Sequence, residues 1–172
     1  MNKWNTKKMA MLGVLVALQI VASRLLGIRL SPTLRVSISD SFILLAGIWL
    51  GPVAGALVGC LADLVGCVIS GDAPFLLLTV SPVAVGLLAG LLSPVFKKSK
   101  NILIYGGLIA VISLLTSVLY RSWAFSQMFG APFITYVGPR AVQAVVMVIL
   151  NTLVVYGIYR SPVTAMIETS GE

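Results

Sequence analysis

The sequence contains no histidine, and only 5 of its 172 residues are Asp or Glu. The missing histidine removes the commonest general base, proton shuttle and metal ligand. With it go any Ser-His-Asp arrangement and any HExxH zinc helix. There is no GxxxxGK[ST] run, so the chain does not bind and hydrolyse ATP through a P-loop. Charge is scarce altogether: 10% of the residues are charged, against 59% hydrophobic. No soluble domain of this length buries that much apolar surface, so lipid must be the main solvent. The apolar character persists to about residue 160, far beyond a cleaved signal peptide. A single membrane-embedded domain over residues 1–172 is the expectation.

Cysteine is scarce too. Cys60 and Cys67 fall on one predicted helix, where a seven-residue step is about 10 Å and exceeds disulfide reach. Small apolar packing residues are the better reading than reactive thiols.

What the chain does have is six apolar stretches. They run from about Met9 to Gly27, Ser39 to Leu50, Gly51 to Ser70, Leu76 to Phe96, Ile102 to Tyr120 and Arg140 to Tyr159. The fold class expected is an all-α integral membrane protein with six transmembrane helices. The second stretch is shorter than the ~20 residues that cross hydrocarbon upright. It has to be shielded by neighbours, thinned around, or extended by the preceding LRVSISD.

The net charge of +7 would point to nucleic acid in a soluble protein. Here the basic residues sit at the ends of apolar stretches, and topology explains most of them, so no nucleic-acid partner is expected. Lys3, Lys7, Lys8, Lys97, Lys98, Lys100 and Arg160 fall on one side of a six-crossing chain, the cytoplasmic side, along with both termini. Arg29, Arg35, Arg121 and Arg140 fall on the other side, with Asp40 and Asp72 near them. Four arginines on an outer face mean headgroup contacts or an anion-binding cavity, and their number favours the cavity. The connection RSWAFSQMFGAPFITYVGPR is long and aromatic. It reads as an interfacial aromatic belt or as a lid that stacks on a flat ligand.

Two helices carry further patterns. In the first stretch Ala10, Gly13 and Ala17 form a small-residue face, suited to close packing within the chain or to docking of another membrane subunit. In the third, Gly51, Gly55, Gly59 and Asp63 follow at four-residue steps along one face. The glycines would admit a neighbouring helix and turn Asp63 into the bundle, where an unpaired carboxylate costs several kcal/mol. Its partner would be Arg24, Arg35 or Arg140, or a polar group such as Thr79, Ser81 or Asn151. Asp63 then either ties helices together or meets a ligand.

The run LRVSISDSFILLAGIWLGPVAGALVGCLADLVGCV, residues 34–68, resembles the substrate-binding S components of energy-coupling factor (ECF) vitamin transporters, most closely the folate-specific type. TVSP, beginning at Thr79, is similar to the family's FTLSA stretch. FGAPFITYVGPRAVQ is similar to its PF…LLP.R lead-in to the sixth helix, with Arg140 on the family's arginine. GVLVA, Gly13 to Ala17, resembles the AxxxA pattern of the first helix. Late in the fifth helix, where folate-type members tend to carry Asn-Thr-x-Trp, this chain has LLTSVLYRSWAF.

The resemblance implies a six-helix protein in a prokaryotic plasma membrane that captures folate or a related vitamin at its outer side. It implies a transmembrane coupling subunit and two ATPase subunits as partners, with ATP used by those subunits and no cofactor held by this chain. Neither catalysis nor a metal is implied. The candidate substrate-binding residues are Arg35, Asp63, Phe75, Thr79, Ser81, Arg121, Trp123 and Arg140, and Ala10, Gly13 and Ala17 are candidates for docking the coupling subunit. Arginines suit folate carboxylates, aromatic rings suit a flat pterin, and a buried carboxylate suits the pterin's N–H donors. The rivals are the same family with another small anionic vitamin such as pantothenate, a self-sufficient carrier using Asp63 as its ion-coupling carboxylate, and a membrane enzyme or assembly factor.

Overall fold

The computed structural model describes residues 6–24, 27–29, 35–71, 75–99, 101–161 and 164, leaving out the side chains of residues 28, 29 and 35. Its helices are α1 (Thr6–Arg24), α2 (Ser39–Leu50), α3 (Pro52–Ser70), α4 (Leu76–Leu91), the short α5 (Ser93–Lys98), α6 (Ile102–Ser113), α7 (Arg121–Phe129) and α8 (Phe133–Tyr159). A π-helical segment, Leu114–Tyr120, joins α6 to α7 without a break. Of LRVSISD only Ser39 and Asp40 belong to α2, so the stretch does not lengthen that helix beyond Ser39. Its Arg35 and Val36 form β2, a two-residue antiparallel ladder with β1 (Ile28–Arg29) in which Arg29 faces Arg35.

Four helical runs are long and apolar enough to cross a membrane: Thr6–Arg24, Pro52–Ser70, Ile102–Phe129 and Phe133–Tyr159. The α2 and α4 helices, with 12 and 16 residues, are shorter. A short α2 was expected and a short α4 was not. The fourth stretch divides at Leu92, because Pro94 sits in the first turn of α5 and cannot continue α4's hydrogen bonding. Pro82, deeper in α4, leaves that helix intact. The α2 helix has Ser39, Ser41 and every residue from Ile43 to Ile48 buried. Neighbouring helices thus stand between it and lipid, the arrangement that lets a short helix persist at membrane depth.

The contacts fix the directions. Gly55 lies against Gly86 and Gly47, Gly59 against Pro82, and Gly90 against Pro52, so α3 and α4 run antiparallel in backbone contact. Ser81 Oγ donates to the Thr116 carbonyl at 3.3 Å, and Tyr120 Oη to the Leu77 carbonyl at 2.9 Å, so α4 also opposes the α6–α7 run. Ser41 Oγ donates to Asn151 Oδ1 at 2.6 Å and Ser37 N–H donates to Met147 Sδ at 3.4 Å, so α2 and α8 point the same way. The starts of α2, α4 and α8 and the ends of α3 and α7 therefore share one end of the bundle.

Gly51 departs from the expected stripe. It lies between α2 and α3 with φ of 95°, a conformation open to glycine and strained for other residues. The two helices consequently meet at one residue. The rest of the stripe does what its spacing implied: Gly55 and Gly59 admit α4. Outward faces are apolar instead of polar. Val53, Leu57, Leu61, Val65 and Val68 are exposed along α3, and Val142, Val145, Ile149 and Leu153 along α8, the pattern of helices solvated by lipid.

Candidate functional site

The connection read as an aromatic belt or a lid is helical. Segment five continues through the π segment into α7, and α8 begins seven residues before Arg140, leaving only residues 130–132 between them. Gly130, at φ 66°, closes α7 in the left-handed conformation. Pro139 lies early in α8, where its missing N–H removes one hydrogen bond without ending the helix. The aromatic residues pack on this helical hairpin. Phe125 stacks on Phe129 with ring centroids 5.7 Å apart, and Tyr136 tilts against Phe125 at 6.1 Å. The Arg140 guanidinium lies 4.4 Å from the Phe125 ring centre, a cation–π contact that ties it to α7.

Arg140 is 5% exposed and its Nη1 donates to the Ser117 carbonyl at 3.4 Å. Arg121 reaches the same place from the start of α7. Together they line a cleft of about 310 Å³, counting its open mouth, with Asp40 from α2, Ser113 from α6, Ser117 from the π segment, and Gln143, Ala144 and Met147 from α8. The residues come together by register. Ser113, Ser117 and Arg121 follow at four-residue steps, while Arg140, Gln143, Ala144 and Met147 follow the i, i+3, i+4, i+7 rhythm of one helix face. The π segment carries Ser117, and such widened turns recur at functional sites. The cleft can present a guanidinium fork to an anion or carbonyl, a carboxylate to N–H donors, and hydroxyl and amide groups to either.

The other expected residues are placed differently. Asp63 accepts a hydrogen bond from Thr79 Oγ1 at 2.8 Å, across the α3–α4 contact. Of its expected partners a polar one, Thr79, thus takes the role. Arg24 instead lies over Gly66 with Nη2 3.4 Å from Cys67 Sγ, and Arg140 faces Ser117 and Phe125. Cys60 and Cys67 are free thiols. Ser81 is fully buried and spends its hydroxyl on Thr116, inside the helix packing. Phe75, half-exposed, precedes α4. Trp123 is also half-exposed, with its ring 5.9 Å from that of Tyr120. The Arg35 side chain and all of Asp72 lie outside the described residues. The Arg35 backbone is two residues from Ser37, which touches the cleft residue Met147. Asp40, Ser113, Ser117, Gln143 and Met147 were missed as site residues. The polar four-residue rhythm leading to Arg121 was the available signal.

The Asp63–Thr79 pair gives a direct prediction. Thr79→Val removes the donor and leaves a half-buried carboxylate short of a partner, so the melting temperature in detergent should fall, by the equivalent of about 1–3 kcal/mol. An unchanged melting curve would show that the bond carries no stability.

At the first helix, Ala10, Gly13 and Ala17 are exposed, and a Cβ at Gly13 would meet nothing within 4 Å. Among the described residues, no other helix covers this small-residue face.

Comparison with known proteins agrees with this architecture. The family described as "ECF transporter, substrate-specific component" matches residues 7–159. Among solved structures, the crystal structure of FolT bound with folic acid superposes with a TM-score of 0.77 at 22% identity, over 89% of this chain and 92% of that one. No curated protein matches the chain by sequence.

Proposed function

The chain belongs to the substrate-specific components of ECF transporters, and from that premise we propose that it captures folate, or a vitamin closely related to it, from the outer side of a membrane. The observation that carries the reading is the cleft with Arg121 and Arg140 at one end of a bundle that shares its fold with folate-bound FolT. The family is one of transport components and not of enzymes. In this reading the chain crosses a prokaryotic plasma membrane six times with both termini in the cytoplasm. The distribution of charge supports that orientation: Lys7, Lys8, Lys97, Lys98 and Arg160 gather at the end opposite the cleft.

The chain would hold no cofactor of its own. A transmembrane coupling subunit with two ATPase subunits would dock on the uncovered Ala10–Gly13–Ala17 face of α1 and supply energy from ATP. Gly13→Leu fills that face without touching the cleft, so it should spare ligand binding while impairing complex assembly and uptake. Co-purification with the coupling subunit reads the first effect, and unaltered assembly would remove α1 from the docking role.

Reconstituted uptake tests the whole reading. Proteoliposomes holding the complete complex should accumulate labelled folate only with ATP, and those holding this chain alone should not accumulate it under an ion gradient. Gradient-driven uptake by the chain alone would instead establish a self-sufficient carrier.

A further inference from the structure

Two carboxylates lie toward the same end of the bundle in different surroundings. Asp63 is engaged by the Thr79 hydroxyl on the α3–α4 contact and is not among the residues lining the cleft. Asp40 does line it, at the first turn of α2, where it shares the wall with Arg121 and Arg140. The cleft therefore sets one carboxylate beside two guanidinium groups. A purely anionic ligand would satisfy the arginines and be repelled by Asp40. A ligand edge that alternates donors and acceptors satisfies both.

We infer that Asp40 reads the head group of the ligand, its two carboxylate oxygens accepting from an adjacent ring N–H and exocyclic amino group, while Arg121 donates to the carbonyl next to them. The 2-amino-4-oxo edge of a pterin has that sequence of groups, and pantothenate has no such edge. Bidentate acceptance by a carboxylate in a water-poor site is strong and directional. Losing it also leaves the ligand's donors unpaired, which is how polar sites reject close analogues. This inference rests on the vitamin-binding reading above and assigns specificity within it.

The test varies both partners. Folic acid and an analogue whose 2-amino group is replaced by oxo are titrated against the wild-type chain and against Asp40→Asn in detergent. Wild type should prefer folic acid by about ten- to a hundredfold, and Asp40→Asn should lose most of that preference by binding folic acid more weakly. Equal affinity of the wild type for both compounds overturns the inference even if Asp40→Asn fails to fold, and so does a variant that keeps the full preference. In both cases folic acid still binds the wild type and the vitamin reading stands. If the wild type binds neither compound, that reading falls and the inference with it.

Discussion

Replacing Arg140 by alanine is expected to weaken ligand binding by roughly 2–5 kcal/mol, the range for truncating one partner of a buried, hydrogen-bonded charge pair. The expectation follows from where the side chain is held. It is 5% exposed, its guanidinium carbon lies 4.4 Å from the Phe125 ring centre, and its Nη1 donates to the Ser117 carbonyl at 3.4 Å. A guanidinium immobilised before the ligand arrives loses little further freedom on binding, so most of its interaction appears as affinity. Alanine also removes a contact between α8 and the π segment, so some loss of stability accompanies the loss of binding. Arg140→Lys separates the two effects. It retains the charge but not the planar fork, and should bind weakly while melting closer to wild type. Calorimetric titration of both variants, beside their melting curves, checks this. Full affinity in Arg140→Ala would remove Arg140 from the site.

Gly55→Ala should be among the most damaging single substitutions in the protein, although it adds one methyl group. The new Cβ would stand 2.5 Å from the Gly86 carbonyl oxygen and 2.8 Å from the Gly47 Cα, and both are backbone atoms that cannot rotate away. Relief requires α3 to move off α4, which would disturb the Gly59–Pro82 and Gly90–Pro52 contacts along the same seam. In lipid such a seam has no hydrophobic drive and is held by close packing, so separation forfeits its main stabilisation. A loss of at least about 1–3 kcal/mol is expected, read as a lower melting temperature or an unfolded product. Gly107→Ala is the control, since its Cβ would meet nothing within 4 Å. Equal stability of the two variants would mean that the seam is looser than its geometry.

The features legible in the sequence were those written in local spacing. Gly55 and Gly59 at a four-residue step indicated a close helix partner, and Gly86 and Pro82 of α4 are what they meet. Ala10, Gly13 and Ala17 indicated an open face on α1, which remains uncovered. Arg121 and Arg140 were placed on the same side by the count of six crossings, and they share a cleft. What spacing could not supply was long-range register. Asp63 found Thr79 because α3 and α4 pair in one alignment among several that the apolar pattern allows. Asp40 enters the cleft only because α2 and α8 run parallel, with Ser37 beside Met147 and Ser41 beside Asn151. The aromatic connection became helix because the π segment carries α6 on into α7 and Pro139 falls where α8 tolerates it. Glycine and proline in that stretch marked a three-residue break between two helices.

The central claim is that this chain alone forms a binding site for folate or a closely related vitamin, and folic acid titrated into the purified protein tests it most directly. Trp123 lies on α7 two residues after the cleft residue Arg121, and its fluorescence should be quenched in a saturable, one-to-one manner at submicromolar ligand. Absence of quenching and of binding heat at micromolar folic acid, with tight binding of another vitamin such as pantothenate, would contradict the folate assignment and leave only the family.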